Sequence, residues 1–217
     1  DYLISLMNLA LFYYLQANHE KAEPLFEEIS NRMQLQMNES EKFMSENERE
    51  AFLKEKLQYD LDIIYSYFLM NDRKNKKYNA LLFNNAVYFK GKLLQSAVSL
   101  RKEIVKSKDY ELILLYEEYI KASKLLNQSY TKSFSIEFRD PFDDTQINFD
   151  SIQQVRDNLE KELIRRSQLL QNKETETIDF KSVQENLGEN EAIIEMLHFY
   201  HHTGDQWTDS IIYAALI

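Results

Sequence analysis

Residues that interrupt helices are almost absent from this chain. Its 217 residues include only three glycines and two prolines, and no proline occurs between Pro24 and Pro141. Proline removes a backbone donor and glycine weakens a helix interior, so their scarcity predicts long, uninterrupted helices. A hydrophobic content of 44% is enough to bury a sizeable core. We therefore predict an all-α fold of antiparallel helical hairpins, in a solenoid or a bundle.

The first segment, residues 1–38, predicts two antiparallel helices. An apolar stripe runs from Asp1 to Gln16, and Asn18 then offers a cap for a second helix. Pro24 falls early in this second helix, where a missing N–H costs least. The apolar side of the second helix is formed by Ala22, Leu25, Phe26 and Ile29.

Long helices are predicted over most of the region 39–172. Ser45 and Glu48 have the spacing of a capping box at the start of a helix. Gly91 is a single weak point inside a later one. Apolar residues recur at helical spacing on successive faces: Leu57, Leu61, Ile64 and Phe68; Leu82, Ala86, Phe89, Leu93, Ala97, Leu100 and Ile104; Leu112, Leu115, Tyr119, Ala122 and Leu126; and, after the cap candidate Asp150, Ile152, Val155, Leu159 and Leu163.

Polar segments are predicted to connect these helices. One contains a basic cluster, formed by Arg73, Lys74, Lys76 and Lys77. This cluster could meet an acidic partner or RNA phosphate. A solvated turn is the favoured interpretation, because the surrounding chain is acidic and stacking aromatic residues are sparse. The others are a loop at 131–148, anchored by Phe134, Phe138 and Phe142, and a connector at 172–177.

The segment from Glu191 to Ile217 changes to a pattern typical of a β-hairpin. Apolar stretches at 192–200 and 211–217 flank a polar interval that contains Gly204 and Asp205. The second stretch is apolar throughout, which predicts a strand buried on both faces of a sheet. A two-stranded hairpin alone is marginal in water. We therefore expect these strands to belong to a larger β-containing domain that continues beyond this chain.

The histidines of this segment are the only metal-capable cluster that the sequence suggests. His198, His201 and His202 would share a face with Glu195 if the stretch were helical. On a strand, His198 and His202 project from one face and His201 from the other. Because the strand is the favoured interpretation, we predict no metal site and no cofactor.

Charge and composition exclude several classes of function. There are 26 basic and 36 acidic residues, which gives a formal net charge of −10 and disfavours binding to nucleic acid or anionic lipid. No apolar stretch approaches the roughly 20 residues needed to span a bilayer. The chain contains no cysteine, so it has no disulfide, no thiolate metal ligand and no cysteine nucleophile. These features fit a cytoplasmic protein without nucleic-acid or membrane partners.

The first hairpin resembles a tetratricopeptide repeat. The phrase EKAEPLFEEI is similar to the second helix of many such repeats. Two positions depart from the pattern: Ala17 replaces the usual turn glycine, and Ile29 fills a position that is usually alanine. The hydrophobic and small positions of the repeat pattern are taken by Leu6, Leu9, Ala10, Tyr13, Ala22 and Phe26.

The resemblance implies a surface for a protein or peptide partner. By position in the repeat, the inner surface would be lined by Ile4, Met7, Leu11 and Tyr14. Repeats that clamp a peptide carboxylate carry Lys and Asn there, whereas this chain has Met7 and Leu11. We therefore expect an apolar helix or strand as the partner, including a further repeat stacked on this one.

Later phrases resemble the region that joins tetratricopeptide repeats to a CHAT domain. They are FMSENEREAFLKEKLQYDLDIIYSYFL, NALLFNNAVYFKGKLLQSAVSLRKEI, LYEEYIKASKLLNQ, LEKELIRRS and VQENLGENEAIIEMLHFY, in this order. CHAT domains are caspase-like and separase-like cysteine peptidase modules of many bacteria. The resemblance implies that 178–217 begins a truncated α/β caspase-like domain, in which IIYAALI supplies the second strand. The catalytic His and Cys of the family come after this point.

The function implied is a non-catalytic interaction and regulatory scaffold. In such a protein the repeats bind a partner and thereby hold or release the downstream caspase-like domain of the same polypeptide. Two alternatives stay open from the sequence. The first is a structural adaptor whose caspase-like part lacks the catalytic dyad, and the second is a His-based metalloenzyme.

Overall fold

The computed structural model describes residues 2–71, 75–134, 149–168 and 179–217. These residues are mostly helical and end in a two-stranded antiparallel sheet, which confirms the predicted mainly helical fold with a C-terminal β-hairpin. Arg73, Lys74 and the connector at 172–177 lie outside the described residues, as does the predicted loop from residue 135 onward.

The elements follow the chain in this order: α1 (Tyr2–Leu15), α2 (His19–Ser40), α3 (Glu46–Phe52), a π-helical segment (Leu53–Leu57), α4 (Gln58–Asn71), α5 (Lys76–Ser107), α6 (Tyr110–Phe134), α7 (Phe149–Gln168), α8 (Phe180–Glu185), β1 (Glu195–His202) and β2 (Trp207–Leu216). Because α6 extends to Phe134, the first residues of the predicted loop are helical.

These elements form two compact units. The first is built from Asp1–Ser40, Arg49–Leu94 and Glu174–Ile217, and the second from Glu41–Glu48 and Gln95–Lys173. The described part of 178–217, which the sequence predicts as the start of a separate domain, therefore belongs to the same unit as α1, α2 and α4.

Helices α1 and α2 form the predicted hairpin. The Lys21 N–H donates to Asn18 Oδ1 at 3.3 Å, which confirms Asn18 as a cap of α2. Ala17 has a φ of 54°, the left-handed conformation that glycine adopts at least cost. The turn thus keeps the geometry that a glycine would favour, although an alanine occupies it.

Helix α4 is the centre of the first unit. The predicted apolar face of Leu57, Leu61, Ile64 and Phe68 is buried. All the remaining residues between Leu61 and Leu69 are buried as well. A helix that is covered on all sides needs neighbours on all sides. The sequence pattern indicates only one face because the polar residues Asp62 and Ser66 interrupt the apolar circumference.

Aromatic contacts identify the neighbours of α4. Tyr67 packs against Tyr14 of α1 and Phe26 of α2, with ring centroids 5.0 and 4.4 Å apart. Phe68 contacts Tyr78 of α5 at 4.7 Å. On another side, Tyr65 meets Phe199 of β1 edge-on at 5.7 Å. Three helices, α1, α2 and α5, and strand β1 therefore pack against this one central helix.

In the second unit, the predicted capping box is confirmed. The Ser45 N–H donates to Glu48 Oε2 at 2.9 Å, and the Glu48 N–H donates to Ser45 Oγ at 3.3 Å. Among the described residues of this unit, Ile104, Leu112 and Leu163 form one buried apolar cluster.

The predicted apolar face of α7 is partly wrong, because Val155 is 52% exposed. Leu163 of the predicted face is buried, as expected, and so is Glu160, which the prediction did not include. Glu160 Oε1 accepts the Glu46 N–H at 2.9 Å, and Asn47 donates to Asp157 at 3.2 Å. The start of α3 is therefore bound by carboxylates of α7.

The two strands pair from Glu195↔Leu216 to Tyr200↔Ile211, and a bulge follows before His202↔Trp207. The turn between them is closed by the Thr203 N–H, which donates to the Gln206 carbonyl at 3.0 Å. The prediction that the second strand is buried on both faces is wrong, since Tyr213 is 74% exposed. Helix α4 covers one face of this sheet, and the described residues place nothing over the other.

Candidate protein-interaction surfaces

The four residues predicted to bind a partner do not form one surface. Ile4 is 64% exposed, but Met7 is only 5% exposed. Leu11 and Tyr14 are half-buried and pack against the core of the first unit. Met7 and Tyr14 lie on the side of α1 that the rest of the unit covers, so only Ile4 is free to meet a partner.

The opposite side of α1 exposes a different apolar surface. Helix α1 contains no charged residue from Tyr2 to Leu15, and the polar residues on its exposed side are Ser5 and Asn8. The outer face of α1 is defined by Tyr2, Ile4, Leu9, Phe12 and Leu15, which are all exposed. In the sequence, this face is indicated only by the absence of charged residues from α1. The repeat pattern indicates the inner side of the helix instead.

The β-hairpin is held on α4 by side chains that bind the backbone of β1. The Tyr200 N–H donates to Asp62 Oδ2 at 3.2 Å, and the His202 N–H donates to Ser66 Oγ at 3.0 Å. Asp62 and Ser66 are one helical turn apart and both are buried. Lys90 of α5 adds a third contact, to the Met196 carbonyl at 2.8 Å.

The turn of the hairpin rests on α1. Gly204 has a φ of 98°, and a Cβ on it would lie 2.6 Å from Cδ1 of Tyr14. Only glycine fits this approach without a shift of the Tyr14 ring or of the turn. Tyr14 is therefore engaged within the unit, by the hairpin turn and by Tyr67.

His202 and Trp207 form the last strand pair before the hairpin turn. The Gly204 N–H donates to Nδ1 of the buried His202 at 3.0 Å, so this nitrogen is an unprotonated acceptor. Trp207 packs on His202 with ring centroids 4.7 Å apart and donates to the hydroxyl of Tyr59 at 2.9 Å. The single tryptophan of the chain thus reports on the junction between the hairpin and α4.

Titratable groups at this junction have shifted pKa values. Burial is the main cause that lowers the pKa of His202, and the nearby His201 lowers it further. Burial also raises the pKa of Asp62, against the hydrogen bonds from Gln58 and Tyr200 that lower it. Burial raises the pKa of Asp60 to about 6. Burial therefore favours the neutral forms of His202, Asp62 and Asp60.

The histidines are not arranged as the strand pattern predicts. His198 is exposed and stacks on Tyr213, whereas His202 is buried, because the bulge after Tyr200 moves His202 to the other face. Across the described ranges, no three His, Cys, Asp or Glu side chains lie close enough together to hold a metal ion.

The described part of the basic cluster takes part in ion pairs. Lys77 lies 2.5 Å from Glu23 and 2.6 Å from Glu27, both on α2. Lys76 is exposed at the start of α5. Lys77 therefore joins α5 to α2 and is already occupied by carboxylates of the same chain.

A groove follows the outer edge of β2. Its volume is about 420 Å³, within the range of small ligand sites. Six consecutive residues of the chain line it, Ile212 to Ile217, together with Leu69, Met70 and Asn79. Consecutive strand residues point to opposite faces, so a groove that touches all six runs along the edge of the strand.

Comparison with known proteins identifies no relative: no protein-family model, no curated protein and no solved structure matches this chain. The resemblance to tetratricopeptide repeats and CHAT domains therefore stays a prediction. None of the helices in the described ranges combines the length and the apolarity that crossing a membrane requires.

The contact between Gly204 and Tyr14 predicts opposite effects for two glycine substitutions. Gly204→Ala is expected to lower the free energy of unfolding by about 2 to 4 kcal/mol, through left-handed strain and steric overlap. Gly91 lies inside α5, and no neighbouring atom of the described residues comes within 4 Å of the position that an alanine Cβ would take. Gly91→Ala should therefore raise stability by about 0.5 to 1 kcal/mol. Urea denaturation measures both, and an equal effect of the two changes would contradict the contact.

The buried His202 predicts a loss of stability in acid. Its pKa is lowered from the ordinary 6.5, so the unfolded chain takes up the proton more readily than the folded one. The contribution of His202 is complete above pH 6.5 and is lost as the pH falls through the folded pKa.

His202→Asn, which keeps an acceptor for Gly204 without a titrating ring, isolates this effect. Between about pH 7 and about pH 5, the wild type should lose stability relative to the variant, by urea denaturation followed through Trp207 fluorescence. His198→Asn, on the exposed side of β1, is the comparison variant and should change the pH dependence less than His202→Asn does. If the stability of the wild type and of His202→Asn changed with pH in parallel, the loss of stability in acid could not be assigned to His202.

Proposed function

We propose that this chain is a non-catalytic protein-interaction and regulatory scaffold, part of a polypeptide similar to proteins in which tetratricopeptide repeats precede a caspase-like domain. Its partner surface is the outer face of α1. The observation that carries the proposal is the exposure of this uncharged helix, in which Phe12 is 53% exposed.

The chemistry of the outer face selects the kind of partner. Leu9, Phe12 and Leu15 follow one another at three-residue spacing, which places them along one strip of the helix. Contiguous apolar strips of this kind mark interaction sites more often than scattered apolar residues do. An amphipathic helix from a neighbouring repeat or a separate protein would bury such a strip along its length.

A non-catalytic role fits the residues available. The chain has no cysteine, so the nucleophile of a cysteine peptidase would have to come from another part of a longer polypeptide. The buried Asp62 and Ser66 bind backbone groups of β1 and are committed to that contact. His202 accepts from the Gly204 backbone, so its acceptor nitrogen is also committed.

Photo-crosslinking tests the proposal in cells that produce the protein. p-Benzoylphenylalanine in place of Phe12 is expected to form an adduct with one discrete protein. The matched control carries the same group in place of Glu20, which is exposed on α2 outside this face. Adding Leu9→Lys to the Phe12 probe should weaken the adduct at least about tenfold, because a charge enters the apolar strip.

Equal adducts from the Phe12 and Glu20 positions, or none from either, would overturn the proposed surface. The melting temperature of the Leu9→Lys protein, expected to stay close to that of the wild type because Leu9 is exposed, separates lost binding from lost folding.

A further inference from the structure

The two edges of the β-hairpin differ in how their backbone groups are satisfied. On β1, the outward N–H groups of Tyr200 and His202 donate to Asp62 and Ser66, and the Met196 carbonyl accepts from Lys90. These side chains occupy the positions at which the backbone of another strand would bind. The edge of β1 is therefore occupied at Met196, Tyr200 and His202.

The register of the two strands shows which backbone N–H and carbonyl groups of β2 do not bond to β1. In an antiparallel pair, residues alternate between bonding to the partner strand and pointing away from it. Met196 and Tyr200 point away from β2, and they face Ala215 and Ile211. Ala215, Ile211 and the intervening Tyr213 therefore direct their N–H and carbonyl groups outward, away from β1.

These outward groups are free in the part of the chain that the structure describes. None of the hydrogen bonds among described residues involves the backbone of Ile211, Tyr213 or Ala215 outside the β1–β2 ladder. The groove lies directly beside them, with Leu69 and Met70 as its other wall. An open row of donors and acceptors next to an apolar wall is what a further strand requires, for its backbone and for its alternate side chains.

We propose that the free edge of β2 binds an extended peptide segment of a partner protein, which adds a third strand to the sheet. The segment is uncharged, and its alternate side chains are apolar and enter the groove beside Leu69 and Met70. Its backbone bonds to Ile211, Tyr213 and Ala215.

The lining determines the chemistry of this peptide. Among the residues that the structure describes, none that lines the groove carries a charge, in a chain whose net charge is −10. A charged side chain in the groove would lose water without gaining a counter-ion. The six lining residues of the strand edge extend over about 20 Å, which is long enough for a peptide of about six residues. This inference deepens the proposed interaction role but uses a surface separate from the outer face of α1.

Two substitutions at one position distinguish a peptide that binds the edge of β2 from one that binds a face of the sheet. Tyr213→Pro removes an outward N–H and places a ring at the edge, and it leaves the bonds to β1 intact because those come from the neighbouring residues. Tyr213→Thr removes the same aromatic side chain but keeps the N–H and a high β-propensity. A peptide that binds the edge distinguishes these variants, whereas one that binds the exposed face of the sheet does not.

The probe comes from a displayed library of random octapeptides, selected on the full chain and then synthesised with a fluorescent label. The proposal expects selected sequences with apolar residues at alternate positions and no charge between them. Their Kd, measured by fluorescence anisotropy, should rise at least about tenfold for Tyr213→Pro and stay within about threefold for Tyr213→Thr. A peptide with Asp at the alternate positions should not bind.

Several results would overturn the proposal. They are a library without binders, binders without the apolar alternation, or equal weakening by Tyr213→Pro and Tyr213→Thr. A dimer that is abolished by Tyr213→Pro, in a chain that selects no peptide, would assign the edge to a second copy instead. None of these measurements involves α1. A negative result for peptide binding at β2 therefore does not affect the interpretation of photo-crosslinking at Phe12.

A variant of the groove wall covers the case in which Tyr213→Pro does not fold, as judged by Trp207 fluorescence. Met70→Lys leaves the edge of β2 unchanged and introduces a charge opposite it. It should weaken the same uncharged peptides at least about tenfold. Unchanged binding by a folded Met70→Lys protein would contradict the location of the peptide in the groove.

Discussion

The arrangement of the C-terminal hairpin depends on two side chains of α4, Asp62 and Ser66. They bind the outward N–H groups of Tyr200 and His202 and so take the place of a neighbouring strand. A buried N–H without an acceptor costs about 1 to 3 kcal/mol, so this pair determines which strand can lie against α4. The polar residues on the central helix thereby fix the orientation of the sheet and leave β2 as its open side.

The same constraint connects the sheet to α1. With β1 held on α4, the hairpin turn reaches Tyr14, where a Cβ on Gly204 would require a shift of the ring or of the turn. The inner side of α1 is consequently covered within the unit, and its outer face is the side that stays exposed among the described residues. Two surfaces follow from one anchoring contact: the apolar outer face of α1 and the edge of β2.

Local signals in the sequence predicted local structure well. The capping box of Ser45 and Glu48, the cap at Asn18 and the hairpin around Gly204 all depend on residues close together in the chain, and all three are confirmed. Features set by distant contacts were missed. The burial of His202 and the polar contacts between α7 and the start of α3 involve partners far away in sequence. The exposed apolar side of α1 also escapes the repeat pattern, because that pattern does not show which side the hairpin covers.

The most direct test of the anchoring contact is amide hydrogen exchange, resolved residue by residue, on the dilute monomeric chain. The amides of Tyr200 and His202 should exchange slowly, since buried side chains accept from them, and those of Tyr213 and Ala215 should exchange quickly. Ala214, which bonds to β1, is the internal reference for a protected amide of β2. Protection of Tyr213 and Ala215 equal to that of Ala214, or rapid exchange at Tyr200 and His202, would contradict a closed β1 edge and an open β2 edge.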